Sequence, residues 1–167
     1  MRTVVLQKGD LFEKDVKRIY ESSFPKPERY QLDSLYERNL FLGFVEEEHL
    51  RGIAYLLYDT KALFLLYLAV DEQCRGKGYG GKIMEWILDF AGKRCVFLNV
   101  EEPDDTSFNQ EERERRIRFY ERYGLKMTKI KLKDQDVTYV LMSEEKKWKS
   151  IPVKWSAVKL LGKLPKE

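Results

Sequence analysis

The stretch CRGKGYGGKI, residues 74–83, places four glycines in ten residues. Glycine at this density serves backbone that must come close to something or take φ > 0. Three phosphate-binding patterns fit it. Gly76, Gly78 and Gly81 spell G-x-G-x-x-G, and Gly76, Gly81 and Lys82 spell G-x-x-x-x-G-K. Gln73, Gly76 and Gly78 spell Q-x-x-G-x-G, which Arg75, Gly78 and Gly80 repeat two residues on. All three rest on one device, amide N–H groups at a helix N-terminus directed at an anion. The dinucleotide pattern fits poorly. Asp71 to Arg75 separate the preceding strand from the first glycine, and both flanks read as antiparallel, although Glu101 stands where a ribose-binding acid would. The P-loop pattern lacks its hydroxyl: Ile83 follows Lys82 where Ser or Thr must hold Mg²⁺.

Other reactive side chains are sparse. The one histidine, His49, falls in the polar turn EEEHLRG, which excludes a His-rich metal site and disfavours a His-based triad. Cys74 and Cys95 are too few for a disulfide framework, and Cys74 reads as packing because a nucleophilic thiol needs a base. The run EEPDD (101–105) gathers four carboxylates in five residues, an acidic mouth suited to a cationic amine. No metal site is predicted.

The elements that must position these residues read from periodicity. Strands are predicted at 2–7, 40–47, 51–59, 62–70 and 95–100, with a closing hairpin of 126–132 and 137–143 around KDQD. Helices are predicted at 11–23, at 33–39 with Asp33 as cap, at 80–91 and at 109–124. In the last, Asn109 and Glu112 form a capping box, Glu111–Arg115, Glu112–Arg116 and Glu114–Arg118 are i,i+4 pairs, and Gly124 is the stop. The order β-α-α-β-β-β-α-β-α-β-β predicts a mixed α/β (α+β) domain, its sheet mostly antiparallel and flanked by helices.

The 167 residues are 43% hydrophobic and 35% charged, enough for one domain with a core and a heavily solvated surface. The longest apolar run, residues 62–70, is too short to span a bilayer, and the N-terminus carries no secretory signal. A cytoplasmic location is expected. The net charge of +3 divides into +6 over residues 146–167 and −3 over the rest. The domain is therefore placed at 1–145 and a basic amphipathic tail at 146–167. The tail's Trp155, Val158 and Leu161 suit packing on the domain or on a second subunit, a homodimer arrangement, in preference to an anionic membrane. The acidic body argues against a nucleic-acid groove.

LAVDEQCRGKGYGGKIM (68–84) and IRFYERYGLKM (117–127) together resemble the two signatures of the GCN5-related N-acetyltransferase (GNAT) superfamily, and the element order resembles that family's over about residues 2–143. The resemblance implies an acetyl-CoA-dependent N-acetyltransferase. Acetyl passes from the CoA thioester to an amine by direct attack in a ternary complex. It implies that Arg75, Gly76, Lys77, Gly78, Tyr79, Gly80 and Gly81 wrap the CoA pyrophosphate. The strand of Leu68, Ala69 and Val70 splays from strand 95–100 and pairs with the pantetheine arm. Tyr120 matches the tyrosine that serves as acid for the departing thiolate. The glutamate base of histone acetyltransferases is replaced by Phe64, which leaves Glu101 and Glu102 as candidates, Glu101 being carried forward. Arg113 stands where many members have a CoA-proximal Asn. The alternative is a non-catalytic acyl-CoA-binding or regulatory domain of the same fold. The acceptor, a small-molecule or peptide amine, is not read from the sequence.

Overall fold

A computed structural model describes residues 1–134 and 137–144. Seven strands form one sheet in the order β1-β2-β3-β4-β5-β7-β6. Along the chain they and the helices run β1 (Arg2–Val5), α1 (Glu13–Ser23), α2 (Leu32–Tyr36), β2 (Leu40–Glu46), β3 (His49–Tyr58), β4 (Ala62–Val70), α3 (Tyr79–Ala91), β5 (Cys95–Glu101), α4 (Gln110–Glu121), β6 (Leu125–Asp134) and β7 (Val137–Glu144). This is the order predicted from periodicity. The expected basic tail lies outside the described residues.

Short polar links make β2, β3 and β4 an antiparallel meander. The crossover through α3 returns β5 parallel to β4, as a strand–helix–strand connection requires. That parallel pairing covers only Ala62↔Cys95 to Phe64↔Phe97. One residue further on, the β3–β4 register slips between Tyr55 and Leu56, whose partners are Tyr67 and Leu65. A bulge increases local twist and bends its strand. The remainder of β4, through Val70, therefore runs on beside β5 without pairing to it.

Each sheet face is covered. On one, Val16, Ile19 and Tyr20 of α1 and Leu35 of α2 meet Phe41, Ile53, Tyr55, Phe64 and Tyr67. On the other, Ile83, Met84 and Ile87 of α3 and Ile117 and Tyr120 of α4 meet Leu63, Leu65, Val96, Leu98 and Val140. Alternation along the strands sends side chains to the two faces in turn. Leu98 and Val100 thus pack under α3 and α4, while Phe97, Asn99 and Glu101 face the α1 side.

Several boundaries differ from the sequence reading. β1 ends at Val5, not Gln7, because the Asp10 carboxylate accepts from Gln7 N at 3.1 Å and Phe12 N at 2.8 Å, making a turn that delays α1 to Glu13. Asp33 is not the cap of α2 and pairs instead with Lys8 at 2.6 Å. Asn109 stands at the N-cap of α4 but makes no side-chain cap. Its amide donates to Glu101 at 3.3 Å, and its carbonyl oxygen accepts from Ser107 at 2.7 Å. Of the three i,i+4 pairs, Glu112–Arg116 (3.3 Å) and Glu114–Arg118 (3.1 Å) form. Glu111–Arg115 does not appear among the described residues.

Candidate active site

The parting of β4 from β5 opens a cleft of about 1820 Å³. That exceeds the roughly 300–1,000 Å³ of a single-ligand pocket, so there is room for a long ligand and a second molecule. Of the residues expected to matter, Leu68, Ala69, Val70, Arg75, Gly76, Gly80, Glu101 and Tyr120 all line it. Lys77, Gly78, Tyr79 and Gly81 do not line the cleft, and Lys77 is exposed.

The glycine loop is held at its start by Asp71. This buried carboxylate accepts from Gln73 N at 3.0 Å and pairs with Arg18 at 2.6 Å, which holds it below the usual carboxylate range. Arg75 ties the loop to the end of β4 and to α1 by donating to Val70 O and Ser23 Oγ, each at 3.4 Å. Gly78 then caps α3 at φ +82°, a left-handed position that costs other residues strain. Its carbonyl accepts from Lys82 N at 3.2 Å, so the amides of Tyr79, Gly80 and Gly81 have no partner within the helix. The dipole of the helix adds to their attraction for an anion.

Two expectations about this loop need correction. The Tyr79 side chain turns away from the cleft and donates its hydroxyl to Glu46 on β2, where Lys82 also binds at 3.3 Å. Only the backbone of Tyr79 can meet an anion, and Lys82 is not aimed at one. The last two glycines serve helix packing as well as ligand approach. A Cβ on Gly81 would lie 2.6 Å from the Tyr123 hydroxyl, and Phe119 covers Gly80 at 3.5 Å. The two sequence signatures thus pack on each other, α4 against the first turn of α3.

Tyr120 follows on α4. Burial pushes its phenol up to about 12 against a small opposing effect of Arg116, so it is protonated at every working pH. Tyr123 stays with Gly81 and Phe119, as packing.

The acidic run does not form the expected mouth. Only Glu101 lines the cleft. It is buried, with Arg113 at 3.2 Å on one oxygen and Asn109 at 3.3 Å and Arg116 at 3.8 Å on the other. Glu102 pairs with Lys131, and Asp104 is spent on Thr106. Arg113 also donates to Glu102 O at 2.8 Å, so it is committed to this corner and not to a CoA phosphate. His49 is exposed at the start of β3, away from the cleft. Phe64, in the place of a base, is packed on Phe97. Among the described residues no group of His, Cys, Asp and Glu is arranged to hold a metal.

Sequence reasoning missed the α1 side of the cleft, formed by Glu28, Tyr30, Asn99, Asp134 and Tyr139. One signal was readable: Asn99 is the lone amide in the apolar run CVFLNV.

A sheet that opens between two parallel neighbours, with a glycine loop entering a helix at the opening, defines the N-acetyltransferase fold. The model of the Acetyltransferase (GNAT) family matches residues 10–125, more than half of the chain, and the chain belongs to that family. A GNAT-family acetyltransferase of Bacteroides thetaiotaomicron is similar in structure at TM-score 0.72, with 23% identity over 86% of each chain. A GNAT-family acetyltransferase of Elizabethkingia anophelis with acetyl-CoA bound gives 0.60, with 12% identity over 85% of this chain and 95% of that one. The ribosomal-protein-S18-alanine N-acetyltransferase of Escherichia coli gives 0.62, with 18% identity over 85% and 91%. At these identities the likenesses establish the fold. No curated protein matches significantly. No helix among the described residues is long and apolar enough to cross a membrane.

Proposed function

We propose that this protein is an acetyl-CoA-dependent N-acetyltransferase that moves acetyl from the CoA thioester to an amine by direct attack in a ternary complex. One observation carries the reading. The cleft begins where β4–β5 pairing stops at Phe64↔Phe97, and it is lined by Gly80 of the first turn of α3 and by a protonated Tyr120.

The residues fit CoA. Gly78 and its neighbour Gly76, at φ +75°, leave open space in front of the loop, since a Cβ on either would meet nothing within 4 Å. Arg75, Arg115, Arg118 and Arg122 line the same side as cations for phosphate groups. The backbone of β4 from Leu68 to Val70 offers an edge on which a pantetheine amide pairs as an added strand. Bound there, CoA supplies the activated acyl group. The amine nitrogen forms a C–N bond to the acyl carbon as the C–S bond breaks. Tyr120 gives the departing sulfur its proton. The ammonium proton leaves to Glu101, directly or through a water. A carboxylate has about four lone-pair positions, and the three partners of Glu101 leave one for that contact. Both cysteines are free thiols, in keeping with a reducing cytoplasm.

A non-catalytic acyl-CoA-binding domain needs no proton donor at the thioester end, so the placement of Tyr120 favours the enzyme. A screen of amines, polyamines, amino acids and peptides, read by CoA release, tests the reading. Turnover with at least one class is expected. Acetyl-CoA binding with no turnover across all of them would assign the binding-domain alternative.

A further inference from the structure

On the α1 side the apolar core of the sheet reaches into the cleft. Phe24, Tyr30, Phe64, Leu66 and Tyr67 belong to that core and also line the cleft. Phe64 is the last residue of β4 paired to β5, so it stands at the fork where the two strands part. Leu66 follows on the stretch of β4 that has lost this partner, and at the register slip it is the residue left without a counterpart on β3. Phe24 ends α1 and packs on Tyr67, their ring centres 4.5 Å apart. Phe24 and Leu66 are only half-buried. They form an apolar wall next to the fork, where two substrates must meet.

The polar groups behind this wall are turned inward. The Tyr67 hydroxyl donates to Glu28 O at 2.6 Å and accepts from Tyr30 N at 3.3 Å. The Tyr20 hydroxyl donates to Tyr30 O at 3.0 Å and accepts from Tyr30 N at 2.9 Å. These bonds tie residues 28–30 to β4 and α1. Phe24, Phe64 and Leu66 carry no polar side-chain atom. The wall therefore offers an incoming molecule apolar contact in place of hydrogen bonds, and burying apolar surface there is favourable. A concave apolar surface beside a reacting centre holds the part of a substrate that does not react.

We propose that the acceptor amine is joined to an apolar group, best an aromatic ring, that packs on Phe24 and Leu66 while the amine nitrogen reaches the acyl carbon at the fork. The assignment rests on the N-acetyltransferase reading. It moves acceptor recognition from the charge of the 101–105 run to an apolar wall on α1 and β4, and it names Phe24 and Leu66 as specificity residues. A small amine and the first residue of a peptide both present this chemistry.

The test uses the full chain with two matched pairs of probes: phenylethylamine with ethanolamine, and the peptides Phe-Gly-Gly with Ser-Gly-Gly. Within each pair the amine is the same and the group beside it is aromatic or hydroxylic. CoA release gives kcat and KM, and calorimetry with acetyl-CoA is run in parallel. In at least one pair kcat/KM should favour the aromatic member by about 10-fold or more, the effect of burying a ring, and the pair that shows it tells a small amine from a peptide. Leu66→Ser puts a hydroxyl on the wall, and Phe24→Leu removes its ring but keeps it apolar. Each should reduce that preference by roughly 3–10-fold, with acetyl-CoA still bound, because the aromatic probe loses a contact that the hydroxylic probe never makes. The wild-type preference decides the matter even where a variant fails to fold. No preference in either pair, a preference for the hydroxylic member, or equal losses on both members in a folded variant would overturn the proposal. So would acetyl-CoA binding without turnover of any of the four probes, which would leave the acetyltransferase reading standing. Absence of acetyl-CoA binding would overturn that reading, and the proposal with it.

Discussion

Tyr120 combines two properties that pull against each other in an acid. Burial keeps the phenol protonated, which guarantees a proton to give, but a value of about 12 makes it a reluctant donor. The departing thiolate must draw the proton out as charge builds on sulfur. Tyr120→Phe retains the ring and its packing on Phe119. Turnover should fall by roughly 10²–10⁴ while acetyl-CoA affinity, measured by calorimetry, stays put. Turnover within about twofold of wild type would make Tyr120 a packing residue. The same value fixes a pH dependence. An ordinary tyrosine ionises near 10. With the folded value raised, the protonated form persists through that range, so kcat should show no loss centred near 10. A descending limb there, absent in Tyr120→Phe, would contradict this placement.

The element that matters most is the segment from the end of β4 to the first turn of α3, and Asp71 anchors it. Its carboxylate bonds Gln73 N and pairs with Arg18 of α1. Asp71→Asn should destabilise the fold by about 1–3 kcal/mol in urea unfolding, toward the lower end because Arg18 is 41% exposed and screened by solvent. The folded carboxyl lies below its ordinary value of about 3.9. The stability gap between wild type and variant should therefore be constant above that value and close as pH falls through the lower folded one. A gap unchanged down to about pH 2 would show that Asp71 does not titrate against Arg18. The order of the elements was legible because helical and alternating patterns are local. Asp10 and Asn109 show where local reading stops. Asp10 makes a turn that shortens β1 and delays α1, and Asn109 abandons its cap for Glu101, a partner on another element. The parting of β4 from β5 was expected from family resemblance alone, since it depends on strand register, which no single segment encodes.

Across the whole molecule the cleft draws its lining from distant parts of the chain. Arg75 of the loop and the arginines of α4 line it together with Glu112 and Glu121, and Glu28, Lys133 and Asp134 line it elsewhere. Glu28, Asn99, Asp134 and Tyr139 come from four separated segments, and only the folded sheet brings them to one face. The glycine loop and Tyr120 could be read from the sequence because each motif is contiguous. The EEPDD run was misleading because its partners, Arg113, Arg116 and Lys131, lie elsewhere in the chain. All of the account depends on an anion seated at the α3 N-terminus, and calorimetric titration of acetyl-CoA into wild type and Gly78→Asp tests that most directly. The substitution puts a carboxylate at the cap, beside the open amides of Tyr79 to Gly81. Circular dichroism confirms that the variant is folded, because Asp at φ +82° carries strain. The account predicts one acetyl-CoA site in wild type and its loss in the folded variant. No binding by wild type, or equal affinity in a folded Gly78→Asp, would contradict it.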